Sequence, residues 1–279
     1  MLGLGVALGL GSALSWGAGD FMAGIAARRT TALAVTAGAQ ATGLLLLLGL
    51  AVVLHPSAPL PTTLLLAAIG GLFGGLGLAA LYAGLALGNM GLVSAISGVG
   101  AVVIPLSVGA FLQGVVVAPI QLAGVACAVA AAVAGSAAVA RGINARSLTL
   151  AVAAAVGFGG WFVFVDLAAR DDRLWALIAS RAAATVLIGG AALLRGQGSG
   201  LRQNARLIVA AGAADVTANG LVVVAFASIP TGVAAALSGM YPLVTMLLAR
   251  GLLGERLPRL GLAAVALATA GIVLISIGG

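Results

Sequence analysis

Charged side chains are scarce in this chain, so each one inside an apolar run stands out. Arg181 and Asp215 lie near the middle of two such runs, and Asp20 and Asp166 lie toward the ends of two others. A charge at the centre of a membrane helix costs at least ~2.5 kcal/mol, which makes these residues candidates for solute recognition before any other role. Arg181 can hold a carboxylate through two parallel hydrogen bonds while Asp215 holds an amine; alternatively, the two neutralise each other and join their helices. Asn219, one turn beyond Asp215, shares its face. Asp20 is the candidate for proton coupling, because a partly desolvated acid can exchange a proton for a cationic solute. The competing reading of Asp20 is an acid hydrogen-bonded to a neighbouring helix. Asp166, nearer its helix end, reads as a structural or interfacial residue.

A second group is aromatic or polar. Trp16, Tyr82, Phe158, Trp161 and Tyr241 can line a cavity for a flat solute, or serve ordinary packing between helices and anchoring at the membrane surface. Gln40 falls opposite Arg181 when the second helices of the two halves described below are aligned, so it is a further polar cavity residue. His55 stands alone in a Pro-rich loop and Cys127 is the single cysteine, in an apolar run. The sequence therefore assembles no metal site and no internal disulfide, and it implies no catalytic nucleophile. Gly17-Ala-Gly-Asp20 spells the Gly-x-Gly-Asp pattern of intramembrane aspartyl proteases. Such chemistry needs a second Asp at similar depth sharing a proton with the first. Asp166 precedes Leu rather than following Tyr, and Tyr241-Pro-Leu243 only loosely echoes the expected Pro-Ala-Leu, so the protease reading stays remote.

These residues are carried by elements that composition makes plain. Of the 279 residues, 62% are hydrophobic and 7% charged, against roughly 45–50% and 25% in a soluble domain. A water-soluble fold of this length would have to cover its outside with polar side chains, and too few are present. The formal charge is +7, every basic residue is arginine, and the arginines sit between apolar runs rather than along one face. That pattern excludes a nucleic-acid partner and reads instead as the loop bias that orients helices in a bilayer. The first apolar segment starts almost at Met1, lacks a basic leader and runs past the length of a signal-peptide core, so it reads as the first spanning helix.

A spanning helix needs roughly 20 apolar residues. Runs of that size, bounded by Pro, Asn, charge or Gly-rich turns, predict helices over 3–26, 32–54, 63–87, 91–112, 119–139, 149–169, 173–194, 206–228, 231–253 and 259–277. The fold class is thus an all-α membrane protein of ten transmembrane helices. Gly70, Gly71, Gly74, Gly75 and Gly77 form one seam of small residues suited to close helix packing rather than to phosphate binding.

The ten spans divide into two related units, 1–140 and 141–279. Ser15 to Arg28 aligns with Gly157 to Arg170, sharing Gly17 and Gly159 and a closing Ala-Ala-Arg. Gly91-Leu-Val-Ser-Ala-Ile-Ser-Gly98 aligns with Gly232-Val-Ala-Ala-Ala-Leu-Ser-Gly239, each followed by a proline, Pro105 and Pro242, expected near mid-helix as points of bending. Five helices is an odd number, so the second unit enters the membrane from the opposite side. Inverted repeats around a central cavity are the architecture of secondary transporters, with the solute near the midplane.

Leu14-Ser-Trp-Gly, Ala83-Gly-Leu-Ala-Leu-Gly, Tyr241-Pro-Leu-Val and Leu253-Gly-Glu-Arg-Leu257 resemble the drug/metabolite transporter superfamily, EamA type, over the whole chain as two tandem five-helix units. The resemblance implies a ten-helix fold with a central cavity, no cofactor, and export of amino acids or other small metabolites. Cationic drug efflux with proton coupling is the alternative, and a channel or lipid scramblase a more distant one. Its partners are then membrane lipid and a small-molecule solute, with the chain a monomer or homodimer in the cell (inner) membrane. The resemblance also implies cytoplasmic termini, and the charges disagree. Loops after the odd-numbered helices hold ten arginines, whereas the opposite side holds Arg170 and Arg173 flanking Asp171 and Asp172. By the positive-inside rule both termini then lie outside.

Overall fold

The computed structural model describes residues 2–113, 117–139, 144–197, 201–226 and 237–277. Among these residues the regular structure is helical throughout: α1 (Leu2–Arg29), α2 (Ala32–Leu54), α3 (Pro61–Ala86), α4 (Met90–Gln113), α5 (Pro119–Val139), α6 (Ala145–Ala169), α7 (Arg173–Leu194), α8 (Ala205–Phe226), α9 (Tyr241–Leu253) and α10 (Arg259–Ile277). Five stretches, α2, α3, α6, α7 and Ala205–Val222 of α8, are each long and apolar enough to cross a membrane.

Local chemistry sets the boundaries. Thr31 caps α2 by accepting the Ala34 N–H at 3.2 Å, and Asp172 caps α7 by accepting the Trp175 N–H at 2.9 Å. Pro61 opens α3 where its missing N–H costs nothing. Gly254, at φ 67°, ends α9 in the left-handed region that glycine adopts without strain. The predicted ninth helix differs. Residues 231–236 lie outside those described, Gly239 and Met240 form a turn, and α9 begins at Tyr241. Pro242 therefore occupies the first turn of a helix, a position its fixed φ favours, rather than mid-helix. Pro105 does lie inside α4.

The distribution of side chains is that of a protein in lipid. Large apolar residues point outward, Leu194 being 91% and Phe111 87% exposed, while alanine, glycine and most of the polar side chains in the helices are buried. The glycine seam of α3 makes close approaches to two helices. A Cβ at Gly71 would fall on the Ser180 carbonyl of α7, and one at Gly77 would lie 3.0 Å from the Gly157 Cα of α6. α3 accordingly packs most extensively on α6 and also on α7, α8 packs on α1 and α2, α4 on α6, α9 on α1, α2 on α7, and α5 on α10.

Contacts between loops sort into two ends of the bundle. At one end Arg28 pairs with Glu255, whose other oxygen accepts the Met90 N–H at 2.9 Å, and Thr31 donates to Gln197 at 2.9 Å. These contacts tie together the loops after α1, α3, α7 and α9. At the other end Thr63 donates to Asp171 at 2.7 Å and the Trp175 indole donates to the Ser57 carbonyl at 2.7 Å, joining the loops after α2 and α6.

Candidate functional site

One face of α1 carries Ser12, Ser15, Trp16 and Asp20, spaced at the three- and four-residue intervals that bring side chains together on a helix. Ser12 and Ser15 donate to the Ala218 and Ala214 carbonyls of α8 at 3.0 and 2.7 Å, which fixes α1 against α8 in register. In that register the Trp16 indole donates to Asp215 Oδ1 at 3.1 Å. Asp215 Oδ2 takes the Arg181 guanidinium of α7 in an ion pair, and the other guanidinium nitrogen donates to Gln40 Oε1 of α2 at 3.0 Å. Four helices thus meet in a single hydrogen-bonded chain, Trp16–Asp215–Arg181–Gln40. Side chains are 9% exposed at Arg181 and 20% at Asp215, so the pair is only slightly screened by solvent.

Two further residues shape this chain. Gly43, one turn beyond Gln40, gives the guanidinium its seat: a Cβ there would lie 2.8 Å from an Arg181 terminal nitrogen and 2.8 Å from a Val216 methyl of α8. Asn219 is buried but turns back on its own helix, donating to the Asp215 carbonyl at 2.9 Å.

Asp20, one turn beyond Trp16 on α1, and Tyr82 of α3 are both buried, at 7% and 1% exposed. Beside Asp20, Gly19 of α1 packs against Ala214 and the Asp215 backbone of α8, and Gly17 packs against Val244 and the Tyr241 carbonyl of α9. Tyr241 meets Trp16 edge to face, with ring centroids 6.1 Å apart at 68°, and its hydroxyl reaches the backbone of α4 at Gly98, beside Ser97. The three ion pairs formed among the described residues are Arg28–Glu255, Arg170–Asp166 and Arg181–Asp215, and none includes Asp20.

The other expected site residues lie elsewhere. Trp161 donates to Ser180 Oγ at 2.9 Å and packs against Phe162 and Gly74, while Phe158 rests on Gly77 of α3. Neither hydrogen-bonds to the Arg181–Asp215 chain, so Phe158 does not repeat the part that Trp16 plays at the aligned position. Asp166 pairs with Arg170 at 3.2 Å on an exposed turn. Ser12, Ser15 and Gly43 were not among the sequence candidates. The signal for the serines is the polar stripe at helical spacing on α1; for Gly43 it is a glycine three residues after a buried amide.

Compared with known proteins, residues 145–277 match the model of the EamA-like transporter family. That match, over the second half of the chain, supports assigning the chain to the EamA-type drug/metabolite transporters. No curated protein matches. Among solved structures, one described as "Crystal structure of protein" superposes with a TM-score of 0.65 at 17% identity, over 98% of this chain and 97% of its own. At that identity the likeness concerns the fold.

Proposed function

We propose that this chain, an EamA-type multi-pass membrane transporter, exports amino acids or other small metabolites across the cell membrane by alternating access. Ten membrane crossings form two inverted five-helix units, 1–140 and 141–279, that rock about a midplane site. The observation that carries this reading is the buried chain Trp16–Asp215–Arg181–Gln40, to which each unit contributes two helices, α1 and α2 from the first and α7 and α8 from the second. Polar groups buried at such depth mark solute pathways, because apolar residues would pack there at lower cost.

Helix packing supports the repeat. Exchanging each helix for the one five places along converts α3 on α6 into α8 on α1, α3 on α7 into α8 on α2, and α4 on α6 into α9 on α1, and all of these contacts exist. The pairs α2 with α7 and α5 with α10 map onto themselves. Pro105 within α4 supplies a point where that helix bends as the units rock.

The test is uptake into proteoliposomes of a panel of amino acids and organic cations, with and without a pH gradient. Saturable, gradient-dependent flux of one of them is expected. Flux that rises linearly with concentration and shows no counter-transport would replace this reading by a channel or scramblase.

A further inference from the structure

The helices α3 and α7 start at the same end of the bundle and meet along their inner faces, where Gly71 takes the Ser180 backbone and Gly75 takes Ala184 and Ile188. Away from that seam the same helices present alanines, Ala68 on α3 and Ala179 and Ala182 on α7, between rims of larger side chains. The result is an open groove of about 670 Å³ with an almost wholly apolar wall, a volume in the range of small-molecule sites. Leu64 and Trp175 stand at its mouth, and Leu72 and Leu187 at its far end. From Trp175 to Leu187 it runs about 18 Å at a rise of ~1.5 Å per residue, slightly more than half of a hydrocarbon core ~30 Å thick. That is the depth of one leaflet, and an acyl chain laid along it supplies the dispersion contacts that the alanines leave open.

The mouth carries charge. Asp171, between α6 and α7, accepts the Thr63 hydroxyl at 2.7 Å and the Leu60 N–H at 3.4 Å, which ties the start of α3 to that of α7. Asp172 caps α7 just before Trp175. Arg170 is engaged by Asp166, whereas Arg173, the exposed first residue of α7, enters none of the ion pairs among the described residues. The mouth thus holds two carboxylates whose hydrogen bonds come from neutral donors, and one guanidinium outside those pairs. A head group with both an ammonium and a phosphate matches both signs, whereas a purely anionic one meets a surplus of negative charge.

From groove and mouth together we propose that α3 and α7 bind a phospholipid with a free ammonium head group, of the phosphatidylethanolamine class. One acyl chain lies in the groove over Ala68 and Ala182, the phosphate is held by Arg173, and the ammonium is held by Asp171 and Asp172. The Trp175 indole, pinned by its N–H to the Ser57 carbonyl at 2.7 Å, is a fixed rim at the membrane surface. Because α3 and α7 fall in different halves of the chain, the bound lipid fastens one half to the other.

The full chain, purified and stripped of lipid in detergent, is titrated with phosphatidylethanolamine and with phosphatidylglycerol of the same acyl chains. Bound lipid is counted by native mass spectrometry and stability is followed by thermal unfolding. Expected are one phosphatidylethanolamine retained per chain, a raised melting temperature, and binding about two- to fivefold tighter than that of phosphatidylglycerol, which is what a partly exposed ion pair supplies. The double variant Asp171→Asn with Asp172→Asn keeps both hydrogen-bond acceptors and the helix cap, so it abolishes that preference and leaves chain binding in place. Ala182→Phe fills the groove and removes retention of both lipids. Should Ala182→Phe fail to fold, a phosphatidylethanolamine bearing a diazirine on its acyl chain is photolysed on the unaltered protein, where label falls on α3 and α7 in preference to the outward face of α2 at Leu45, Val52 and Val53. No retained lipid, phosphatidylglycerol bound as tightly as phosphatidylethanolamine, a preference that survives in the double variant, or label spread evenly over α2, α3 and α7 would each overturn the proposal. None of these readouts involves flux, so its failure leaves the transport reading standing.

Discussion

Truncating the Arg181–Asp215 pair from either side exposes how much of it is mutual neutralisation. Arg181→Met leaves Asp215 with the Trp16 indole at 3.1 Å and an uncompensated charge on a side chain 20% exposed. Asp215→Leu leaves a guanidinium 9% exposed with Gln40 alone, at 3.0 Å. Removing one partner of a buried pair costs about 3–5 kcal/mol, and the deeper burial of Arg181 puts Asp215→Leu toward the upper figure and Arg181→Met toward the lower. The double variant buries no charge at this point. It leaves the Trp16 N–H and the Gln40 amide without these partners, about 1 kcal/mol each, so its net loss is about 2 kcal/mol. The double variant should be more stable than either single one, with a coupling of several kcal/mol.

The assay is thermal unfolding in one detergent, followed by tryptophan emission, with all four proteins assembled into the same proteoliposomes for flux. Because the four-helix chain is proposed as part of the solute site, flux should be lost in all three variants while stability recovers only in the double. If the losses simply add, the two residues are not neutralising each other and the geometric reading of the pair is wrong. If the double variant recovers both stability and flux, the pair is structural and carries no solute.

Gly71→Ala should cost about 1–3 kcal/mol, because its new methyl falls on the Ser180 backbone and neither helix can give without moving the other. Gly189→Ala and Gly190→Ala, with open space around each, should be neutral or slightly stabilising in the same melts. Gly43→Ala should displace the Arg181 guanidinium 2.8 Å away and lower flux more than stability, which the paired assays would resolve. Glu255→Gln should weaken the end of the bundle held by Arg28 and the Met90 N–H, by about 1 kcal/mol for a partly exposed pair, and raise the labelling of a cysteine placed at Leu85. A C-terminal reporter active only in the cytoplasm should stay silent if the arginine-rich loops face the cytoplasm; activity would favour the family-like orientation instead.

Element existence was highly legible in this sequence, for a reason peculiar to lipid. The length of an apolar run is set by bilayer thickness, so its limits are marked by the few residues that cannot sit in hydrocarbon, such as Asp172 before α7 and Pro61 at the head of α3. The ninth helix was less legible because its break is a turn at Gly239 and Met240, neither of which a hydropathy reading treats as a boundary. Pro242, expected to bend a helix from within, lies in the first turn of one instead. Its ring fixes φ in both settings, and only the preceding backbone decides between them.

Legibility of the site followed a different rule. Rarity singled out Arg181, Asp215 and Asp20, but a sequence does not say which charges meet, and meeting decides their chemistry. Arg181 and Asp215 were open to two readings, a neutral pair or two solute ligands, and their contact makes Asp20 the charge that remains. The aligned positions Trp16 and Phe158 show the same limit from the other side. The inverted repeat proposed above would preserve which helices touch, as α3 on α6 answers α8 on α1, without preserving what each side chain touches. Trp16 finds a carboxylate on α8, whereas Phe158, lacking an N–H to donate, finds the Gly77 backbone on α3. On the proposed transport reading this asymmetry has a use: related packing would let the two halves exchange conformations at similar energy, while unlike side chains at matched positions would let one solute be recognised in a single orientation.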